Sequence, residues 1–231
     1  MADYVITTDS NSDVLPEFIK ENNLTIIPQY YSFGDTVYGD ELNMPPHEFY
    51  ETMRKGELPK SQANNPAVIR EKFEKILKEG KNILHIAFSS ALSGSCNNVV
   101  VTANELLEDY PDRKIMVFDS LNASLGEGVS VYRAVELWKE GKSMEEVYDV
   151  LMEERDHVNV SFTVNDLYHL QRGGRVSKTT AVVGSLVNMK PILTVTSTGE
   201  LKSDGTVRGR KKSLKTLVSR LEESLDLDSY G

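Results

Sequence analysis

Two near-continuous apolar runs, Ile83-Leu-His-Ile-Ala-Phe88 and Ile115-Met-Val-Phe118, restrict what this chain can fold into more than any other feature. A strand with one face in water alternates apolar and polar residues. A run that is apolar throughout is buried on both faces, as in a parallel sheet covered by helices. Tyr4–Thr8 and Thr25–Tyr31, rich in β-branched and aromatic residues, read as further strands. Amphipathic stretches with clear end signals lie between the strands. Pro16 suits a first helical turn, Pro45-Pro46 opens a segment closed by Gly56, and Pro66 opens one closed by Gly80. Gly141 ends Leu125–Glu140, and Ser143-x-x-Glu146 has the form of a capping box for the next helix. This βαβα rhythm predicts a doubly wound α/β domain over residues 1–156.

After Val158–Val164 the pattern changes. Gln171-Arg-Gly-Gly-Arg175 is a basic turn pivoting on glycine, and Lys190–Thr196 with Leu201–Ser203 reads as a hairpin around Ser197-Thr-Gly-Glu200. Arg208–Lys212 leads into a last amphipathic helix with Leu214, Leu217, Val218 and Leu221 at helical spacing. Residues 157–231 are expected to form a smaller C-terminal α/β lobe, so the fold class is α/β with two lobes.

Charge and cysteine content narrow the function classes. The 231 residues carry a net charge of −9, which argues against general attraction to nucleic acid or to an anionic membrane surface. A single cysteine, Cys96, precludes an intrachain disulfide and any cysteine-based metal cluster. No apolar run approaches the roughly 18–20 residues of a membrane span, and the first residues lack the basic and apolar regions of a signal peptide. The expectation is a cytoplasmic protein without a metal.

Three strings carry candidate chemistry. Asp9-Ser-Asn-Ser-Asp13 opens like a calcium loop, but Val14 replaces the sharp-turn glycine and Lys20 the bidentate glutamate. It reads as a hydroxyl-rich turn at the carboxyl edge of the sheet, where open α/β folds bind ligands. Phe88-Ser-Ser-Ala-Leu-Ser-Gly-Ser-Cys-Asn-Asn98 runs from the end of a strand into a helix starting near Ser95 or Cys96. It lacks the G-x-S-x-G elbow, the G-K-[ST] of a phosphate loop and a dinucleotide fingerprint. Of the four histidines His47, His85, His157 and His169, His85 lies within a strand and reads as a core residue. Unpaired N–H groups at the helix start, the hydroxyls of Ser93 and Ser95, and Gly94 between them describe a seat for a carboxylate or phosphate. The alternatives are plain capping serines and a serine hydrolase acting on acyl esters with Ser93 as nucleophile. Finally, Arg172, Arg175, Lys178, Lys190, Arg208, Arg210, Lys211 and Lys212 concentrate positive charge in the C-terminal third. They form either a solvated face or a docking surface for an acidic or phosphate-carrying partner.

Taken together, several of these strings resemble the DegV family. They are Thr8-Asp-Ser-x-x-Asp13, Ser89-Ser-x-Leu-Ser-Gly-Ser95, Asp119-Ser120 with Gly126-x-Gly128, Leu170-x-x-Gly-Gly-Arg-Val-Ser177, Lys190-Pro-Ile-Leu193 and Val207-Arg-Gly-Arg-Lys-Lys212. The resemblance covers essentially the whole chain in order. It implies a non-enzymatic carrier that binds a long-chain fatty acid between two α/β lobes and, in bacteria, presents it to a fatty acid kinase. No cofactor is implied beyond that lipid. In the family the carboxylate is held by the serine of an L-S-G motif and by a hydroxyl in a P-K-T-S-Q-P-type loop. The first falls on Ser93, with the Gly94 and Ser95 backbone beside it. The second falls on Pro59-Lys-Ser-Gln-Ala-Asn-Asn-Pro66, with Ser61 in place of threonine and Gln62 and Ala63 departing from the pattern. Family members run some tens of residues further to an H-x-G-P-G segment that is absent from this sequence. Arg172, Arg175 and Arg208 are the residues that resemblance and charge together direct at the kinase or its nucleotide.

Overall fold

A computed structural model describes residues 3–177 and 188–225. The chain divides into two compact units, Met1–Arg155 and Asp156–Gly231. The first is built on a parallel sheet of β1 (Tyr4–Asp9), β2 (Thr25–Ile27), β6 (Asn82–Ala87) and β7 (Ile115–Asp119), in the order β2-β1-β6-β7. Its helices are α1 (Pro16–Glu21), α2 (Pro46–Arg54), α3 (Pro66–Lys78), α4 (Ser95–Asp109), α5 (Leu125–Lys139) and α6 (Met144–Glu154).

The continuous apolar runs are explained by two separate cores. Tyr4 and Ile6 of β1, Leu84 and Ile86 of β6 and Phe118 of β7 point to one face. There they pack on Val131, Ala134 and Val135 of α5 and Met144, Val147 and Leu151 of α6. The intervening residues Val5, Ile83, Ile115 and Val117 point to the other face, against Ile69, Phe73 and Ile76 of α3 and Val99 and Leu106 of α4. With period 2 along each strand, both faces must be apolar. Each fully buried Ile, Leu or Phe contributes about 1.5–3 kcal/mol of transfer free energy. His85, in register with Thr7 of β1, is wholly buried, edge-on to Phe73 at 5.8 Å.

The ends of the helices follow their sequence signals. Proline stands in the first turn of α1, α2 and α3, and Asn65 caps α3 by accepting from Ala67 N–H at 2.9 Å. The Ser143–Glu146 capping box of α6 is formed in both directions.

One expected strand is broken. Thr25–Tyr31 does not run as one piece: β2 ends at Ile27, and β3 (Tyr30–Phe33) begins after Pro28 and Gln29 in a different sheet. Proline has no N–H for a ladder, so the strand ends there. β3 pairs antiparallel with β4 (Thr36–Tyr38) and β5 (Lys60–Gln62) in a three-stranded sheet, order β4-β3-β5, which the βαβα reading did not foresee. Its aromatic cluster stacks Tyr31 on Tyr38 at 5.1 Å and sets Tyr31 and Phe33 against Phe49 of α2 at 5.0 and 5.4 Å.

The second unit is an antiparallel sheet of β8 (Ser161–Thr163), β9 (Met189–Val195) and β10 (Leu201–Arg208), order β10-β9-β8, with a short α7 (Tyr168–Arg172) and a long α8 (Arg210–Ser224). Leu167, Val176 and Leu193 form its small core. Of the apolar stripe on α8, Leu214, Val218 and Leu221 are exposed and Leu217 is half-buried. The face turned inward carries buried Ser213 and half-buried Thr216, Leu217 and Arg220. Arg220 holds β10 by a 2.6 Å ion pair with Asp204. An ion pair and a buried serine fix the rotation of α8, and the leucine stripe is left to one side.

Candidate functional site

A parallel sheet brings the carboxyl ends of all its strands to one edge, and the candidate residues gather there. Asp9, the last residue of β1, is fully buried and organises that edge. Its Oδ2 accepts from Phe88 N–H at 2.9 Å, and its Oδ1 from Asn64 Nδ2 at 3.5 Å. The chain then turns through Ser10–Ser12, with Ser12 Oγ donating to Asp9 O at 2.9 Å, and Asp13 adopts the left-handed region (φ 53°) that aspartate tolerates. Asp119 at the end of β7 does the same work one strand along, accepting from Ser90 N–H and Leu121 N–H at 3.2 and 3.1 Å. The loop after β6 is thus held from both sides.

That loop delivers Ser93, Gly94 and Ser95 to the start of α4. Ser93 Oγ lies 2.9 Å from Ser95 Oγ and accepts from Ser95 N–H at 3.2 Å. Ser95 is buried; its hydroxyl donates to Gln29 Oε1 at 2.8 Å and accepts from Asn64 N–H at 3.3 Å. Asn64 Nδ2 reaches Ser95 O at 3.3 Å, and Asn98 Nδ2 donates to Asn64 O at 3.0 Å. Ser93 is half-buried and Gly94 exposed at the mouth of this network. Gly94 precedes the helix with φ −70° and ψ −1°, and a Cβ built there meets nothing within 4 Å. Nothing within the described chain therefore requires glycine at this position.

The expected residues are partly brought together. Ser93 and Gly94 sit at the helix start as anticipated. The N–H of Ser95, expected to face a ligand, donates to Ser93 Oγ at 3.2 Å, so Ser95 also orients Ser93. Ser61 is not in a loop but in the middle of β5, exposed and in register with Tyr31. β5 ends at Gln62, directly before Ala63-Asn64, so Ser61 is three residues, about 10 Å of extended chain, from Asn64 of the network. Gln29 and Asn64, which join the two sheets at the site, were not singled out by sequence. Asn64 is hidden by its context, since Asn64-Asn65-Pro66 reads as a helix cap and Asn65 does perform that role.

The basic residues lie in the second unit. Arg172 ends α7 and is exposed, Arg175 donates to Gly173 O, and Arg208 is exposed at the end of β10. Arg208, Arg210, Lys211 and Lys212 make no ion pair among the described residues. Lys178 lies outside the described residues.

Three buried groups frame the site without facing it. Glu127, in the first turn of α5, accepts from Thr8 Oγ1 at 3.1 Å. Burial, and then the negative charge of Asp9, push its carboxyl well above the ordinary carboxylate range, against the lowering effect of the Thr8 hydroxyl. His85 Nδ1 lies 2.9 Å from Thr7 Oγ1, and burial lowers the imidazole despite Asp9 at 3.9 Å. The Cys96 thiol is pushed up to about 12 by burial and by Asp119 and Asp9, so it is no nucleophile at neutral pH. The partners of the Ser93 hydroxyl are the hydroxyl and N–H of Ser95; His85 Nδ1 meets Thr7 Oγ1, and no base–serine pair of the hydrolase kind involves Ser93 among the described residues. No cluster of three or more potential metal ligands occurs among the described residues, and no helix among them is long and apolar enough to cross a membrane.

The sequence matches the model of the DegV family of uncharacterised proteins across residues 3–230. A DegV domain-containing protein of Clostridium perfringens is 40% identical over 227 residues, covering 97% of this chain and 78% of the relative. The fold is similar to a stearic acid-binding protein from Eubacterium ventriosum, with a TM-score of 0.90 and 26% identity over 97% of this chain and 78% of that one. It is also similar to a fatty-acid-binding DegV family protein from Thermus thermophilus, with a TM-score of 0.86 and 30% identity over 97% and 79% of the two chains. Parallel sheet, serine-rich helix start and the length of the match agree: the chain is a member of the DegV family.

Proposed function

We propose that this protein is a carrier that binds one long-chain fatty acid by its carboxylate and presents it to a fatty acid kinase in the cytoplasm. The observation that carries this reading is the start of α4. Ser93 is half-buried there beside the exposed Gly94, in a scaffold whose solved relatives bind stearic and other fatty acids. Ser93 and the Gly94 backbone are the proposed primary donors, and Ser61 on β5 is the second hydroxyl. Neutral donors at a helix start can hold a carboxylate inside a chain of net charge −9 without a long-range positive field.

The energetics divide the labour. A sixteen-carbon tail at ~0.8 kcal/mol per buried CH₂ supplies roughly 12 kcal/mol gross before association costs. Hydrogen bonds to a charged head group add about 1.5–3 kcal/mol each. The tail therefore sets affinity, and the serines set which end is held. Arg172, Arg175 and Arg208 are the proposed contacts for the kinase or its nucleotide. Arg210, Lys211 and Lys212 occupy the first turn of α8, where the helix dipole disfavours cations. Their clustering there favours a surface for an acidic or phosphate-bearing partner.

Native mass spectrometry of protein purified from cells is the direct test. The expected result is a retained mass of a C14–C18 fatty acid and about tenfold or greater weakening of oleate binding in Ser61→Ala, Ser93→Ala. Protein that carries no lipid and binds none, or that binds it unchanged in the double variant, refutes the reading. So does ester turnover abolished by Ser93→Ala.

A further inference from the structure

Proton order decides whether the Ser93 hydroxyl can meet an anion. A hydroxyl has one proton and two acceptor positions. Ser95 Oγ donates to Gln29 Oε1 at 2.8 Å, so the shared 2.9 Å contact between the two serines must use the proton of Ser93. In that order Ser93 points its only proton into the protein and offers a ligand nothing but a lone pair. The same order leaves Gln29 Nε2 buried with no hydrogen-bond partner among the described residues.

We propose that Gln29 is a positioning residue for the head group: turning its side-chain amide over reverses this chain of hydrogen bonds and releases the Ser93 proton to an acceptor-only ligand. With Nε2 facing Ser95, the Ser95 oxygen accepts from Gln29 and from Asn64 N–H, and its proton goes to Ser93 Oγ. Ser93 then accepts from both the hydroxyl and the N–H of Ser95. Both its acceptor positions are filled, and its proton is the one valence left for a ligand. The amide's oxygen takes over the unpaired position, where an under-satisfied carbonyl is tolerated more readily than a stranded N–H. Nitrogen and oxygen of an amide are nearly the same size, so the turn needs no repacking. The site so ordered suits a carboxylate, whereas a fatty alcohol, able to donate and accept, binds in either order. The inference rests on the fatty-acid reading above and states how that site selects its head group.

Oleate and oleyl alcohol binding, measured on the whole chain by calorimetry, tests it with Gln29→Glu, Gln29→Met and each combined with Ser95→Ala. Gln29→Glu, which can only accept from Ser95 and so keeps the Ser93 proton turned inward, is expected to weaken oleate about tenfold and the alcohol less than threefold. It should also raise the pH midpoint of bound [1-13C]oleate followed by NMR, because the charged form loses a donor. Gln29→Met removes that acceptor, leaves the Ser95 proton to Ser93, and is expected to bind oleate at least as tightly as wild type. In the Ser95→Ala background the Gln29→Glu effect on the oleate-to-alcohol ratio is expected to vanish, since the relay is cut. Equal losses for the two ligands, an unmoved midpoint or an effect that survives Ser95→Ala overturns the role of Gln29 alone. A wild-type chain that binds neither ligand, or binds them independently of Ser93, overturns the fatty-acid reading itself.

Discussion

Replacing Glu127 by glutamine should make the protein more stable near neutral pH, by an amount that grows with pH. Glu127 is fully buried in the first turn of α5, with Thr8 donating to Oε1 and Asp9 close enough to oppose ionisation. Its proton is therefore held in the folded state to well above 4.5, the value at which it leaves in the unfolded chain. Between those two values the native state binds one proton more than the unfolded state. Stability then falls as pH rises, by about 1.4 kcal/mol per unit for one proton. Below 4.5 the contribution is complete; above the folded value it is lost and the slope ends. Glutamine keeps the shape and the Oε1 acceptor but cannot titrate. The stability of Glu127→Gln minus that of wild type should therefore rise by about 1.4 kcal/mol for each pH unit inside the window. Urea unfolding at pH 5, 6 and 7 measures it. Trp138, the single tryptophan, lies in α5 against the same core and reports on this unit by fluorescence. Parallel pH profiles for the two proteins would refute the buried neutral acid.

Gly94→Ala should fold normally and be stabilised by about 0.4–1 kcal/mol in thermal or urea unfolding, because its φ of −70° suits any residue and a Cβ there meets nothing. The same methyl intrudes on a ligand reaching Gly94 N–H, so oleate binding by calorimetry should weaken severalfold, and unchanged affinity would remove Gly94 from the site. Cys96, with its thiol raised to about 12, should resist a thiol-specific disulfide reagent at pH 8 in the native protein and react at once in urea; fast native reaction would contradict its burial.

The sheet was legible because its strands are apolar on both faces: only a helix-covered parallel sheet needs Ile83, Leu84 and Ile86 all buried. The helix ends were equally plain, since proline, glycine and capping serine act locally. What could not be read depends on contacts between distant segments. Pro28 gave a local warning that Thr25–Tyr31 would break, but not that Tyr30 onward would join another sheet. The spacing of Leu214, Leu217, Val218 and Leu221 marked α8 as a helix, but which face turns inward follows Ser213 and the Arg220–Asp204 pair, and neither has an apolar signature. At the site, Ser93 and Gly94 stand in a recognisable string. Gln29 and Asn64 come from segments 66 and 31 residues from Ser95, and amides carry no mark of which partner they will meet.

The break at Pro28 has a mechanical consequence. Gln29 is the bridge between two sheets, tied to the turn after β1 by its own N–H on Ser10 Oγ at 2.9 Å and followed directly by the strand that carries the aromatic cluster. A shift of that cluster, by a substitution at Phe49 or Tyr38, would travel two residues along Tyr31 and Tyr30 to the amide facing Ser95. Under the proposed fatty-acid reading, head-group preference would therefore drift through the packing of this second sheet while Ser93 and Gly94 stay the same.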